Sequence, residues 1–247
     1  MHRFFIPSGH IDDHQVVITG SIAHQIRNVL RMEAGQQIIV LDNQGWEYEV
    51  VLAHLERGQV IGKIESKRPS PNEPHTQLTL YQSLMKRDKF EWVLQKATEI
   101  GVSSIIPVVS QRTLVQTADL KANKQERWQR ILTEAAEQSH RGRVPQLMPP
   151  LKFSEAITQC PNYQLGLIAW ENGGVDIKTA VATTVLPETI ALFIGPEGGY
   201  DPSEIQLAQQ HGVTPITLGP RILRAETAAL IAPALILHEL ERNYVIT

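Results

Sequence analysis

The sequence predicts an α/β protein in which a parallel sheet follows a smaller β-rich domain. From residue 77 onward, short apolar runs alternate with helical patterns, as they do in β-α-β units. The clearest unit combines a predicted strand at residues 77–84, a helix at 88–100 and a strand at 104–109. A crossover of this kind is right-handed and joins parallel strands. Before residue 70, strand patterns dominate and one short helix is predicted.

The β-rich domain is expected over residues 1–70. Its predicted strands cover residues 15–18, 36–41, 46–55 and 60–66, with a turn at 42–45. The short helix is predicted to bury one face, made of Ile22, Ile26, Val29 and Leu30. The stretch KRPSPNEPH, residues 67–75, contains three prolines and no aliphatic side chain, so we interpret it as an extended linker. The α/β domain is accordingly expected over residues 75–247.

The composition of the 247 residues argues against several classes of protein. The 42% hydrophobic content suffices for a substantial core, and the net charge of -3 argues against wholesale coating of a polyanion. The single cysteine rules out an internal disulfide and fits a reducing compartment, so we expect a cytoplasmic protein. The longest apolar run, residues 228–237, is about half of a membrane-spanning helix, so no membrane anchor is expected. The nine histidines lack zinc-site spacing, so no metal is expected.

Two glycine-containing loops near the C-terminal end are the strongest candidates for a ligand site. FIGPEGGY, residues 193–200, and LGPRILRAETAAL, residues 218–230, each follow a predicted buried strand, at 189–194 and 213–218. In open α/β sheets, ligands bind beyond the carboxyl ends of parallel strands. Neither loop has the pattern of a Walker A or a dinucleotide-binding motif. Because glycine lets backbone amides and carbonyls approach a ligand closely, the two loops predict one pocket.

The first loop leads into a helix with clear terminal signals. Asp201, Pro202 and Glu204 provide an N-cap, a proline at the first helical position and an acid at the third. The pattern predicts a helix that ends at Gly212. The second loop opens the last helix of the chain.

Several basic residues are candidates for contacts with RNA, and each has an ordinary structural alternative. They are Arg3, Arg27, Arg31, Lys86, Arg87, His140 and Arg141. Arg27 and Arg31 lie on or beside the exposed face of the short helix, and Lys86 and Arg87 precede the helix at 88–100. His140 and Arg141 lie in the last turn of a further helix, predicted from residue 123 to about residue 142. Such cations suit phosphates, and they equally suit solvated turns and helix dipoles. Arg3 stands beside Phe4 and Phe5, which can stack on bases or pack in the core.

Motifs spread along the whole chain resemble those of one known family. They are RFFIP from Arg3, H-x5-LRM from His24 with GQ at Gly35, KRDKFEWVLQKATEIGV from Lys86, RW-x2-I-x2-EAAEQSHR from Arg127, FIGPEGGY from Phe193 and LGPRILRAETAAL from Leu218. Together they resemble the RsmE family of 16S rRNA (uracil-1498-N3)-methyltransferases, which belongs to the SPOUT class. The main motifs show no departure from the family pattern.

The resemblance implies a fold, a cofactor and partners. The fold is a small PUA-like β-barrel that binds RNA, followed by a SPOUT domain, in which a parallel sheet carries helices on both faces and the chain threads a deep C-terminal trefoil knot. The cofactor is S-adenosylmethionine, converted to S-adenosylhomocysteine, without a metal. The partners are a second copy of the chain and 16S rRNA of the 30S subunit, with naked rRNA or the assembled particle left open. The residues that would surround the cofactor are Leu167, Ile168, Ile194, Gly195, Gly199, Leu218, Gly219, Ile222, Leu223 and Ala228.

Two charged residues of the second loop suit the chemistry that the resemblance implies. Methylation of uracil N3 requires an unstacked base, in-line positioning and loss of the N3 proton. Arg224 and Glu226 are the catalytic candidates, because a cation stabilises the imide anion and a carboxylate accepts the proton. Arg224 also suits a phosphate or the cofactor's carboxylate, and Glu226 also suits a helix dipole. Glu197 is a weaker candidate base, because it also suits a role in bracing its own loop.

Two rival functions are compatible with the same loops. A SPOUT enzyme that methylates a ribose 2′-oxygen or guanine N1 would share them. An RNA-binding assembly factor without activity would keep the fold, because a fold does not by itself imply a function. The methylated nucleoside distinguishes the first rival, and binding of S-adenosylmethionine distinguishes the second.

Overall fold

A computed structural model of the chain describes residues 1–115, 122–182 and 186–244, and the chain forms two compact units. The N-terminal unit comprises Met1–Glu73 together with Ala136–Val144, and the C-terminal unit comprises Pro74–Ala135 and Pro145–Thr247. Local sequence patterns divide the chain near residues 70–75. They carry no sign that a segment 60 residues further on joins the N-terminal unit.

A five-stranded sheet forms the N-terminal unit. Its strands are β1 (Arg3–Phe5), β2 (Gln15–Thr19), β3 (Gln37–Leu41), β4 (Trp46–Glu56) and β5 (Gln59–Pro69), in spatial order β1-β3-β4-β5-β2. β1 pairs with β3 in parallel, and the other neighbours are antiparallel. The four predicted strands are confirmed within about three residues at each end. β1 has three residues, too few for a period to appear.

The helix between β2 and β3 changes its pitch halfway. The α-helix α1 (Gly20–His24) continues into a π-helical turn, Gln25–Val29, where the N–H of Leu30 donates to the carbonyl of Gln25 at 2.9 Å. A π turn holds more residues per turn than the 3.6 of an α-helix, so the predicted pattern drifts out of phase. Ile26 is fully buried, as predicted, but Val29 is 65% exposed. The prediction that Val29 lies on the buried face is therefore wrong.

The linker is predicted to begin at residue 67, but residues 67–69 still belong to β5. β5 continues through Lys67 to Pro69, and Pro69 lies opposite Trp46 of β4. β2 pairs with β5 over residues 59–63. Beyond residue 63, the strand pairing of β5 is therefore with β4. A proline, which lacks an N–H, is tolerated at such a strand end. The strand pairing, which proline composition does not reveal, decides where the strand stops.

The C-terminal unit contains an eight-stranded sheet whose pairings are parallel. Its strands are β6 (Gln77–Ser83), β7 (Ser104–Val109), β8 (Gln146–Leu147), β9 (Leu151–Lys152), β10 (Leu165–Ala169), β11 (Val175–Asp176), β12 (Thr189–Ile194) and β13 (Thr214–Thr217). The order is β11-β13-β10-β12-β6-β7-β8, with β9 also paired to β7. Within the described residues, the further α-helices are α2 (Arg87–Ile100), α3 (Ala122–Gln138), α4 (Phe153–Ile157), α5 (Ile177–Val181), α6 (Pro202–Gln210) and α7 (Ala225–Tyr244).

Helices cover both faces of this sheet, which confirms the predicted α/β fold. On one face, Tyr81 and Phe193 of the sheet share a core with Phe153 of α4 and Ile205 of α6. The rings of Tyr81 and Phe193 stack with their centroids 4.3 Å apart. On the other face, α7 packs against β6, β12 and α2. Strands buried on both faces read as continuous apolar runs, as at β12, which explains why they were predictable. The trefoil knot stays a prediction of the family resemblance.

The strand order positions the functional loops. β13, β10 and β12 are neighbours in the sheet although they are far apart in the sequence. Because the three strands are parallel, their carboxyl ends lie at the same edge, and the loops that follow them meet there. The described residues include no helix with both the length and the apolar character needed to cross a bilayer.

Candidate active site

The loops after β10, β12 and β13 enclose a cavity of about 450 Å³. It is lined by residues 169–171 after β10, residues 194–200 after β12, residues 217–219, 221–226 and 228 after β13, and Lys89 of α2. The volume falls within the range of about 300–1,000 Å³ typical of small-molecule sites. Both loops that the sequence singled out therefore contribute to one cavity.

The first loop requires glycine because other residues approach it closely. A Cβ atom at Gly195 would lie 3.3 Å from the ring of Tyr200. Gly199 has a φ of +68°, and a Cβ atom there would lie 2.5 Å from a carboxylate oxygen of Glu171. A side chain at Gly195 would press on the ring of Tyr200, and the positive φ of Gly199 is a conformation that other residues rarely adopt. The backbone of this loop is thus held between a buried aromatic ring and the loop after β10.

Hydrogen bonds brace the end of the first loop. The predicted capping arrangement at α6 is confirmed: the N–H of Ser203 donates to Asp201, and the N–H of Asp201 donates to Glu204 at 3.0 Å. Glu204 is buried and also accepts from the N–H of Gln111 at 2.9 Å. Arg112 donates to the carbonyl of Gly198 at 3.1 Å and to Asp201 at 3.0 Å. Local patterns did not single out Arg112, because its partners lie more than 80 residues away.

The second loop leaves β13 through another glycine. Gly219 has a φ of +103° and open space around it, and its N–H donates to the hydroxyl of Thr217 at 3.2 Å. Ile222 is 84% exposed, whereas Leu223 is half-buried. The N–H of Ala228 donates to the carbonyl of Arg224 at 2.9 Å, which forms the first turn of α7. The mouth of the cavity and the start of α7 are therefore the same piece of chain.

The residues predicted to surround the cofactor fall into two groups. Those that line the cavity are Ile194, Gly195, Gly199, Leu218, Gly219, Ile222, Leu223 and Ala228. Leu167 and Ile168 are fully buried in β10 and lie among its sheet neighbours. The residues that follow them, Ala169–Glu171 in sequence, reach the cavity instead. The two buried residues therefore fix the strand that precedes this loop and do not line the cavity themselves.

Arg224 and Glu226, the two catalytic candidates, line the cavity, and Lys89 contacts both Glu226 and Glu197. Lys89 Nζ is 3.1 Å from Glu226 Oε2 and 3.6 Å from Glu197 Oε1. Partial burial acts to raise the pKa of Glu226. Hydrogen bonds from its own backbone and from Lys89, with the charges of Lys89 and Arg224, outweigh burial and lower that pKa below its ordinary value. Glu226 is consequently an ionised carboxylate at neutral pH, and Arg224 is exposed beside it.

Near the N-terminus, the Arg3 candidate is engaged in an ion-pair network. Its guanidinium is 2.7 Å from Glu47, which is almost fully buried and also pairs with Arg68. Burial acts to raise the pKa of Glu47, but its bonds to the two arginines lower it overall. Phe4 is buried in the core of the N-terminal unit. Core packing is therefore confirmed for Phe4, whereas Phe5 is half-buried.

The other RNA candidates differ in exposure. Arg31 and Lys86 are exposed, and Arg27 is half-buried. His140 is exposed, with a φ of +61°. Arg141 is 2% exposed, and its guanidinium donates to Glu73 at 2.8 Å, so its charge holds the segment 136–144 in the N-terminal unit. The side chain of Arg87 lies outside the described part of the chain.

No group of three or more metal-ligating side chains occurs within residues 1–115, 122–182 and 186–244. The cavity is instead built from backbone, apolar side chains and a few charges. It suits an organic ligand with both apolar and charged parts.

The fold, together with matches to two family models, defines an RNA methyltransferase with a PUA domain. Residues 71–237 match the model of the RNA methyltransferase domain, and residues 18–65 match that of the RNA methyltransferase PUA domain. The chain is 37% identical over 232 residues to the ribosomal RNA small subunit methyltransferase E of Bacillus subtilis, covering 91% of this chain and 90% of that protein. It is 34% identical to the protein of the same name from Synechocystis, over 94% and 76% of the two chains.

Solved structures agree with these relatives. The ribosomal RNA small subunit methyltransferase E from Neisseria gonorrhoeae, bound to S-adenosyl methionine, superposes with a TM-score of 0.87 at 33% identity, covering 96% of this chain and 97% of that one. The chain belongs to the ribosomal RNA small subunit methyltransferase E family.

Proposed function

We propose that this protein transfers the methyl group of S-adenosylmethionine to N3 of a uridine in 16S rRNA, at the position of the 1498 type. The observation that carries the proposal is the cavity between the two glycine loops, with Arg224 and Glu226 at its mouth. The names of the relatives and the ligand of the Neisseria protein support the substrate and the cofactor. Because 16S rRNA is made and assembled in the cytoplasm, we place the protein there.

The cavity fits the cofactor on structural grounds. Gly195 has no side chain, so a ligand can approach its backbone closely, and backbone groups can recognise an adenine edge. The N–H of Gly199 is used within the loop, where it donates to the carbonyl of Pro196 at 3.0 Å. Ile194, Leu218 and Leu223 supply apolar walls. The cofactor supplies an activated methyl group when it is bound. The glycine loops would hold it, and Leu167 and Ile168, which are fully buried in β10, would fix the strand from which the third loop of the cavity leaves.

Arg224 and Glu226 are assigned to the target base. Glu226 is ionised and therefore able to accept the N3 proton. Arg224 is exposed at the mouth, where its charge can stabilise the negative charge that develops on the uracil oxygens. A phosphate beside the target base is the alternative partner of Arg224. The base must leave its stack to reach the cavity, as substrates of base-modifying enzymes do.

The function is tested by a methylation assay with three substrates: 16S rRNA, 30S particles lacking the modification, and tRNA. We expect 3-methyluridine in the small-subunit RNA and none in tRNA, identified by mass spectrometry of the nucleosides. A 2′-O-methylated nucleoside or 1-methylguanosine would identify the rival enzymes. Absence of S-adenosylmethionine binding would instead indicate the non-catalytic assembly factor.

Gly195→Val is expected to abolish binding of S-adenosylmethionine. The added side chain would press on the ring of Tyr200, which is fixed in the core, so the loop must move into the cavity. Isothermal titration calorimetry measures the effect. Gly9→Val is the control, because a Cβ atom at Gly9 meets nothing within 4 Å and lies in the other unit. Undiminished affinity in Gly195→Val would refute this placement of the cofactor.

We assign Arg27 and Arg31 to contacts with flanking rRNA. Arg27 lies within the π-helical turn and is half-buried, and Arg31 follows that turn and is exposed. The double variant Arg27→Ala with Arg31→Ala is expected to weaken RNA binding about tenfold at moderate salt and to reduce the salt dependence, while cofactor affinity stays the same. Filter binding over a salt series provides the measurement. The exposed pair Arg57 and Lys63, changed to alanine, controls for net charge. Equal RNA affinity in both double variants would contradict the assignment.

We propose that the protein is a homodimer joined through α7. Ile231 and Leu235 of this helix are 41% and 43% exposed, and their spacing of four residues places them on one face. Ile231→Glu with Leu235→Glu is expected to give a monomer by light scattering. A wild-type monomer at micromolar concentration would contradict the proposal.

A further inference from the structure

Lys89 connects three parts of the active site that are remote in sequence. It lies in the first turn of α2, and its ammonium reaches Glu226 at the start of α7 and Glu197 in the first glycine loop. The side chains of Lys89, Glu197 and Glu226 are 36%, 25% and 14% exposed. All three line the same cavity, so solvent screens this triad less than it screens an exposed ion pair.

The position of Lys89 in its helix is electrostatically unfavourable by itself. The N-terminus of a helix carries partial positive charge, and acidic residues such as Asp88 are preferred in the first turn. The backbone of Lys89 is held by its N–H bond to the carbonyl of Lys86, and Phe90 beside it is buried. The two carboxylates therefore compensate a cation that the helix alone does not favour.

Among the described charged residues around the cavity, Lys89 contacts Glu226 directly. Around the cavity, the described charged residues are Lys89 from α2, Glu171 after β10, Glu197 after β12, and Arg221, Arg224 and Glu226 after β13. Of these, Lys89 donates a hydrogen bond to Glu226, and Arg224 acts on it through charge. Removing the ammonium would leave two carboxylates, Glu197 and Glu226, at one half-buried site with less compensation.

We propose that Lys89 is a positioning residue for methyl transfer: its hydrogen bond to Glu226 directs that carboxylate toward the target base. The proposal rests on the proposed function of Glu226 as the base. In that step the N3–H bond of uracil breaks and an O–H bond forms on Glu226. The N3 electron pair forms the new N–CH3 bond, and the sulfur–methyl bond breaks with its pair remaining on sulfur. Glu226 then releases the proton to water.

Glu197 provides a second counter-ion for Lys89. When Glu226 accepts the proton, Lys89 loses the charge that it paired with. Glu197 Oε1, 3.6 Å from the ammonium, remains as its counter-ion, so the cation is not left uncompensated in the cavity. Because Glu197 belongs to the first glycine loop, this loop both lines the cavity and compensates the cation that pairs with the base.

The test compares the pH dependence of kcat/KM for wild type, Lys89→Met and Lys89→Arg. Because the ammonium lowers the pKa of Glu226, its removal raises that pKa, and the acidic limb should move upward by about one pH unit. We expect kcat at pH 7 to fall about tenfold or more in Lys89→Met through lost alignment of the carboxylate. Lys89→Arg should recover most of the activity and the wild-type limb.

Lys96→Met is the matched control, because Lys96 lies on the same helix and pairs with Glu99. It should leave both kcat and the acidic limb unchanged. Affinity for S-adenosylmethionine, measured by calorimetry, should stay within about threefold of wild type in every variant. Lys89→Gln replaces Lys89→Met if the latter does not fold.

Three outcomes would overturn the inference, and they separate it from the proposed function. An unshifted acidic limb in Lys89→Met, with 3-methyluridine still formed, refutes the role of Lys89 alone. Loss of cofactor binding in Lys89→Met would make Lys89 a cofactor-binding residue instead. A wild-type enzyme that forms no 3-methyluridine on any substrate refutes the proposed function, and the role of Lys89 fails with it.

Discussion

The parallel pairing of β13, β10 and β12 is the constraint on which the rest of the site depends. Hydrogen bonds between these strands bring three carboxyl ends to one edge of the sheet, although the strands lie between residues 165 and 217 of the chain. The loops that follow these strands therefore border the same crevice. The two faces of the sheet pack against different helices, α4 and α6 on one side and α7 on the other, so slippage by one residue would exchange the packing partners of each strand.

The first glycine loop and the catalytic candidates are held in different ways. The first loop is braced by the ring of Tyr200, by the buried Glu204 and by the hydrogen bonds of Arg112. At the mouth, Lys89, Glu226 and Arg224 retain access to solvent. This division suits a reaction in which the cofactor must be held in one orientation, whereas the second reactant arrives as part of a large RNA and releases a proton.

The predictable parts of the fold are those whose side-chain period is intact. β12 and the cap of α6 follow from local patterns, because burial on both faces and backbone satisfaction at a helix start leave direct signatures in the sequence. Val29 escaped prediction because a π-helical turn alters the period, and the end of β5 because its partner strand decides where pairing stops. Strands of two residues, such as β8 and β11, are too short to show any period.

By itself, the sequence determined the α/β class, the two glycine loops and the family to which the motifs belong, since each of these depends on neighbouring residues in the chain. The tertiary structure decided which charges meet. Lys89 and Glu226 are 137 residues apart, and Arg141 and Glu73 are 68 apart. An ion pair depends on distance in space, so a basic residue reads the same in the sequence whether it is exposed, as Arg31 is, or buried against a carboxylate, as Arg141 is.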